Sequence, residues 1–546
     1  MTGTPSPRSF GGRAGILGCI LVVPFLQFVL RSGYSPFRLE VLAGAGVLAL
    51  GCLPIAWACR GPAFYGASCI LIVLLSTNAV QGLVFQGLDV RMRWTALGIA
   101  VAVLLLMYWM RQVFFRLVAI FALGSFAVSA VQFLAARSHP AEALAQESRP
   151  RGLGHVIYLI LDEHIGLAGL PDEIPECRRA RKKLEDVLRT NGFEIYPNAF
   201  SNYIETLDSI PSILNFELEP ERRSFARRSS PAGHTATRNA LFARLRSQGY
   251  AIAAYESDYL EYCAAGAECS ATTRYAANTI GPLDRLPIPW PRKAEHLVST
   301  YLLSDMFVWG ITYKALPHWF EPPNWRMGPL SLADIWPERM SRDILRARRK
   351  TLFFAHLLTP HSPYVYRPDG TLRDDREWTD GRSWPATDRA ACDREYAHYG
   401  EQVEYLSGQL DGFLRRLRAD PVYDSSLIVI HGDHGARLLW RSAEAADGAW
   451  VAGDDLAAGR AAGSPPVRAL IDGYSTLLAV KPPGAVGARI EPRCTSVLRV
   501  ISETFDPRGS ATGPPADSEA YVFDAQGRPR PIPMAEACRE MEGRLK

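Results

Sequence analysis

The sequence predicts an α/β protein in two parts. An N-terminal bundle of about five transmembrane helices precedes a folded α/β/α sandwich with a mainly parallel sheet. Three observations carry this reading. Acidic residues nearly vanish before Leu134, where only Glu40 and Asp89 interrupt a series of apolar runs. Beyond that point the composition becomes that of an ordinary globular chain. In that second part strand-like runs alternate with helix-like segments, the pattern of a sheet covered by helices. At 546 residues the chain is too long for one compact domain, and its net charge of +4 gives no reason to expect nucleic acid as a partner.

The apolar runs lie near 14–30, 39–59, 64–86, 95–110 and 113–135. Such runs suffice to cross about 30 Å of hydrocarbon at a rise of about 1.5 Å per residue. A cleaved signal peptide has one short apolar core, so five successive runs do not fit one. Five spans place the two termini on opposite sides of the membrane. Arginines flank the runs on both sides in similar number, which leaves the positive-inside rule silent. Cysteine is more informative. Cys177, Cys263, Cys269, Cys392, Cys494 and Cys538 follow the membrane part, and an even number suits disulfides in an oxidising compartment. Cys263 and Cys269 bracket a small-residue loop, CAAGAEC, and are the one pair named here; free buried thiols are the alternative.

Residues 1–135 therefore read as the transmembrane domain. The polar, proline-containing stretch 136–153 reads as a linker, and 154–546 as an extracytoplasmic catalytic domain. Within the last, HVIYLIL (155–161) is a continuous apolar run, as a strand buried on both faces requires. Similar runs occupy 250–256, 352–358, 426–432 and 475–481, and 395–418 repeats apolar residues at helical spacing. No strand is followed by GxGxxG or a Walker loop. The segment 437–474, rich in Ala, Gly and Asp, reads as a loop or lid.

Ligands of open α/β sheets gather beyond the carboxyl ends of the strands. Those ends carry Asp162, Glu163 and His164 after the first strand, His361 in TPHSPY, and His431, Asp433 and His434 in HGDHGAR. Carboxylate and imidazole donors together suit a divalent metal, Zn²⁺ or Mn²⁺. The glycines around Asp433 and His434 permit unusual backbone angles and close approach. Between the first two strands lies YIETLDSIPSILNF (203–216), with hydroxyls at Thr206 and Ser209. A metal that binds a hydroxyl as its alkoxide makes it a nucleophile for phosphoryl-type transfer. On this reading SIPSIL begins a helix whose amides face an anion. Alternatively, Ser209 only caps that helix and Thr206 is a loop residue.

HVIYLILDE, TLDSIPSIL, HLLTPHSPY and LIVIHGDHG, in this order, resemble the alkaline phosphatase and sulfatase superfamily. Five spans ahead of such a domain resemble its branch of lipoteichoic acid synthases and phosphoethanolamine or phosphoglycerol transferases. The resemblance implies a sulfatase-like sandwich and puts the nucleophile at Thr206, since that branch uses threonine and cannot form formylglycine. It implies Asp162, Thr206, Asp433 and His434 as metal ligands, and Glu163 as a further ligand or as a partner of the ligands. It makes His361 the residue that binds the phosphoryl oxygen or protonates the leaving group, with Ser209 beside the substrate; His356, inside its strand, is structural. No histidine follows His434, which favours one metal unless His164 or His431 contributes. The Asp-Glu pair at 162–163 is closer to hydrolytic members, where transferases usually carry a glutamate first.

The function implied is a metal-dependent phosphotransferase of the bacterial inner membrane, with its catalytic domain periplasmic. It would move a phospholipid head group, phosphoethanolamine or phosphoglycerol, through Thr206 to an envelope glycan or lipid. The alternatives are a hydrolase of phosphate or sulfate esters and, from another class, a non-catalytic envelope assembly or sensor protein.

Overall fold

The computed structural model describes most of residues 154–546, the two helices before residue 60, and parts of 61–131. The longer stretches outside the description are 73–97, 132–153, 305–327, 379–388, 452–464 and 507–518. The chain forms two compact units, Met1–Gln146 with Asn278–Met327, and Glu147–Ala277 with Gly328–Lys546. A segment from the middle of the folded part, Asn278–Met327, belongs with the N-terminal unit.

In the first unit, α1 (Phe10–Arg31) and α2 (Leu39–Ala58) are long and apolar enough to cross a membrane. They match the first two expected spans. Shorter apolar helices cover Pro62–Ile72 and Ala122–Val131, and most of the runs at 64–86, 95–110 and 113–135 lies outside the described residues. Two such helices, not five, are therefore described, and the linker 136–153 is also outside the description.

The second unit opens with β1 (Val156–Leu161), followed by α3 (Pro175–Thr190), β2 (Glu194–Ile195) and α4 (Thr206–Asn215). After β3 (Ala251–Ser257) and β4 (Ala271–Tyr275) the chain passes through α5 (Trp290–Ser304) of the first unit. It returns for β5 (Thr351–Leu357), the long α6 (Arg389–Arg418), β6 (Leu427–Gly432), β7 (Leu478–Lys481), β8 (Arg489–Ile490) and α7 (Val497–Phe505). The sheet runs β8-β2-β7-β6-β1-β5-β3-β4, and every pairing is parallel except those of β7. The strand expected at 475–481 is thus shorter and antiparallel, while the other four lie within a residue of their expected bounds. The expected loop at 437–474 contains a short hairpin, Ala443–Glu444 with Trp450–Val451, and a helix, Val467–Tyr474.

β1 is central and wholly buried, so its alternating side chains feed two cores. Ile157, Leu159 and Leu161 pack with Leu184 and Leu188 of α3 and with Leu406, Leu410 and Phe413 of α6. Val156, Tyr158 and Ile160 pack with Ile210, Ile213 and Leu214 of α4 and with Val497, Leu498 and Ile501 of α7. Helices on both faces make the three-layer sandwich expected. Disulfides join Cys263 to Cys269 and Cys494 to Cys538, while Cys177 and Cys392 are free and buried.

α4 is buried throughout and is backed by two carboxyl groups. Asp208 accepts from the Arg223 amide at 2.9 Å, and Glu219 accepts from the amides of Ser224 and Phe225 at 3.0 and 3.3 Å. Burial pushes Asp208 up to about 6. Burial and the neighbouring Asp208 push Glu219 up to about 8. An acid whose folded pKa exceeds its unfolded value contributes stability that is fully present below the unfolded pKa and is lost as pH rises through the folded one. Thermal unfolding midpoints should therefore fall by several degrees between pH 5 and pH 9, and Glu219→Gln should flatten the part of that slope above pH 6. A slope unchanged by the substitution would refute the assignment.

Candidate functional site

Three strand ends meet at one buried cluster. Asp162 follows β1 directly, and its amide donates to the Leu357 carbonyl at the end of β5 at 2.9 Å. Asp433 and His434 follow β6, the other neighbour of β1. Asp162, Asp433 and His434 each offer a ligand atom, and these atoms lie within 4.8 Å of one another, all buried. α4 brings the hydroxyl. Thr206 is its first residue, and Oγ1 donates to Asp433 Oδ2 at 2.8 Å and lies 3.2 Å from His434 Nε2. The helix begins three residues before the expected SIPSIL, so Thr206 sits in its first turn, whose leading amides have no partner within the helix.

Asp433 holds the cluster together. Its Oδ1 accepts from the amides of Glu163 and His434, each at 2.9 Å, and its own carbonyl accepts from Ser209 Oγ at 2.6 Å. Ser209 also meets Ser201 Oγ at 2.8 Å. Ser209 thus fixes the Asp433 backbone. His434 Nδ1 lies 2.8 Å from the Gly435 carbonyl, which as a donor there leaves Nε2 with its lone pair toward Thr206.

The flanking glycines provide room, not unusual angles. Neither has positive φ, but a Cβ at Gly435 would overlap the Asp472 carbonyl, and one at Gly432 would overlap the Thr476 hydroxyl.

The electrostatics suit a cation. Burial, then the nearby Asp162 charge, raise the Asp433 pKa, and burial lowers that of His434. Asp162 Oδ1 is buried with no hydrogen-bond partner among the described residues. Two buried carboxylates, a neutral imidazole and a hydroxyl fit a divalent metal, which would offset the carboxylate repulsion and take up that oxygen. Asp162, Asp433, His434 and Thr206 Oγ1 are the atoms that would hold it.

Glu163 has a different partner. It adopts φ 60°, and its carboxylate pairs with the buried Arg437 guanidinium instead of joining the metal-type group. Arg437, also at positive φ (63°), reaches Glu205 at 3.0 Å as well. His361 is half-buried beside this pair, with Nε2 3.7 Å from Glu163 Oε1 and Nδ1 2.6 Å from the Ser362 carbonyl. Burial opposes its protonation, but Glu163 and Asp162 outweigh that and raise its pKa above the usual histidine value. His164 and His431, the possible extra ligands, are both turned to other partners. His164 Nδ1 meets the Ile165 carbonyl at 2.8 Å, and His431 Nε2 meets Tyr158 Oη at 2.9 Å. Burial takes each down to about 4.

Two residues with a part in the site escaped sequence reasoning. Arg437 stands three places after His434, inside the motif already singled out, yet only its contacts assign it. His356, expected to be structural, touches Asp162 Oδ2 through Nε2 at 3.2 Å and Tyr262 Oη through Nδ1 at 2.9 Å. Its only signal was a histidine at the end of an apolar strand.

A family model described as Sulfatase matches residues 162–450. No curated protein matches the chain. Among solved structures, the chain is similar to the C-terminal periplasmic domain of EcEptC from Escherichia coli in complex with Zn. The identity is 12%, the TM-score 0.39, and the match covers 71% of this chain and 94% of that one. It is also similar to a phosphonate monoester hydrolase of Agrobacterium radiobacter (12%, TM-score 0.39, 71% and 90%). A third is the lipoteichoic acid synthase LtaP from Listeria monocytogenes (10%, TM-score 0.31, 72% and 90%).

Asp433→Asn should abolish stoichiometric Zn²⁺ or Mn²⁺ binding measured by chelator competition. His356→Gln should weaken it by about 10–100-fold, as expected of a partner that orients a ligand. Full affinity in the first variant would refute the ligand set.

Proposed function

The chain belongs to the sulfatase family, and from this premise we propose that it is a membrane-anchored, divalent-metal-dependent phosphotransferase. It moves a phospholipid head group, phosphoethanolamine or phosphoglycerol, to a hydroxyl of an envelope glycan or lipid on the periplasmic side of a bacterial inner membrane. The observation that carries the reading is the Thr206 hydroxyl bonded to Asp433 and beside His434 at the start of a helix. Threonine cannot be converted to formylglycine, which separates this site from sulfatases that use that residue. The two disulfides suit an oxidising compartment, and α1 and α2 supply an anchor.

A bound Zn²⁺ or Mn²⁺ lowers the pKa of the threonine hydroxyl and screens charge on the phosphoryl oxygens. The chain's own residues do the rest. Thr206 Oγ1 gives its proton to Asp433 Oδ2, which already accepts its hydrogen bond, and forms a bond to phosphorus as the bond from phosphorus to the diacylglycerol oxygen breaks. His361, protonated through its acidic neighbours, donates a proton to that leaving oxygen. An acceptor hydroxyl then attacks the phospho-threonine, giving its proton to the now neutral His361, and Thr206 leaves and takes its proton back from Asp433. Arg437 neutralises Glu163 and Glu205 beside the nucleophile and so keeps anions at this entrance tolerable.

A second reading, hydrolysis with water as acceptor, is favoured by the aspartate at 162, where the transferase branch usually has glutamate. Lipid dependence separates the two.

Purified protein in vesicles of phosphatidylethanolamine and phosphatidylglycerol should release diacylglycerol, and intact-mass spectra should show a head-group phosphate adduct on Thr206. Thr206→Ala should lower turnover by about 10⁴-fold or more and remove the adduct. Unchanged turnover in this variant would defeat the mechanism, and phosphate release from a soluble aryl ester without lipid would favour hydrolysis. Because His361 must be protonated for leaving-group departure and its pKa is raised, turnover should fall only as pH rises above the ordinary histidine range. His361→Asn should cost about 10²–10⁴-fold and erase that alkaline limb.

A further inference from the structure

The aromatic-rich stretch after β4 has no part in the chemistry above, yet its contacts are specific. α5 belongs to the unit of α1 and α2, although its sequence lies between two strands of the sheet. Three contacts on α1, α2 and the loop between them mark a descent. At the level of that loop, Asp284 pairs with Arg38 at 2.5 Å, and Lys293 Nζ donates to the Asp284 carbonyl at 3.1 Å. Next, Val298 lies over Gly44, where an added Cβ would come within 3.0 Å of Val298 Cγ2. Gly44 is five residues inside α2, about 7.5 Å from its start at a rise of 1.5 Å per residue. Deepest, the Tyr301 hydroxyl donates to the Leu21 carbonyl at 2.9 Å, and its ring meets Phe25 edge-on at 5.4 Å. Leu21 is ten residues inside α1 from Arg31, or about 15 Å, roughly half the thickness of a hydrocarbon core.

The side chains change along the same path. Trp290 is 47% exposed, and Arg292 and Glu295 form an ion pair in the first turns, a composition suited to the head-group layer. Leu297, Thr300 and Tyr301 are buried, and Leu302 is half-buried, with no charged residue from Leu297 to Ser304. The Tyr301 hydroxyl finds a backbone carbonyl, which removes the cost of a free donor in lipid.

We propose that α5 is a membrane-inserted element whose partner is the phospholipid bilayer. It enters from the side of the loop at 32–38, keeps Trp290–Glu295 among the head groups, and carries Leu297–Ser304 into the acyl region. The proposal rests on reading α1 and α2 as membrane spans.

The test uses the full chain in vesicles of phosphatidylethanolamine and phosphatidylglycerol doped with a phospholipid that carries a diazirine on its acyl chain. After irradiation and tryptic digestion, adducts are mapped by mass spectrometry. Acyl adducts are expected on peptides of α1 and α2 and, at comparable yield, on the peptide that begins at Ala294. Labelled α1 and α2 with no label between Ala294 and Ser304 would overturn the proposal while leaving the anchor intact. Absence of label from α1 and α2 as well would overturn the membrane reading itself.

Discussion

The Asp433 carboxylate is the constraint on which the site depends. One oxygen accepts from the amides of Glu163 and His434, the other from Thr206, and the carbonyl of the same residue accepts from Ser209. Four hydrogen bonds on one residue thus lock the ends of β1 and β6 to the start of α4. A buried carboxylate with so many donors is well satisfied as an anion. Burial and Asp162 still raise its pKa, so donors alone do not settle the charge at this point. A divalent cation is the group whose arrival would relieve both carboxylates together.

The sheet explains why these residues meet. β1 is flanked by β5 and β6 in parallel, so the three strands present their carboxyl ends at the same edge. Asp162, the end of β5 and the Asp433–His434 pair then fall within one small volume, although hundreds of residues separate them in the chain. α4 crosses this edge with its first residue at the centre, and its burial on the β1 face fixes where that residue stands. Positioning here comes from core packing. Even Gly435 serves that end, by letting the Asp472 carbonyl pass close behind the motif.

Much of this was legible in the sequence, for identifiable reasons. A continuous apolar run such as 155–161 suits a strand buried on both faces, which puts the polar residues just beyond it at the sheet's edge. That rule singled out Asp162, Asp433 and His434 among seven strand-end candidates, and the family resemblance named them as ligands. What was not legible depends on which atom meets which. Proline at 211 and serine at 209 suggested a helix start there, but α4 begins at Thr206 and accommodates Pro211 in its interior. Glu163 looked equivalent to Asp162 by adjacency, yet its left-handed backbone turns the side chain toward Arg437. Membership of Asn278–Met327 in the N-terminal unit is a long-range fact with no local signature beyond its aromatic content.

Asp162 and Glu163, adjacent in the chain, have different partners in the site. Three acidic residues, Asp162, Glu163 and Asp433, approach one another with Glu205 close behind, and two kinds of cation are on offer. Arg437 is buried, and although burial opposes its charge, Glu163 and Glu205 hold its pKa above the ordinary arginine value. A guanidinium so placed is a permanent positive charge. A second divalent ion at Glu163 would have to break that buried pair and leave Arg437 to Glu205. The imidazoles that could help, His164 and His431, are held neutral by burial and committed to a carbonyl and a tyrosine. Arg437 is thus the buried cation beside Glu163, and Asp162, Asp433 and His434 are the group whose ligand atoms converge.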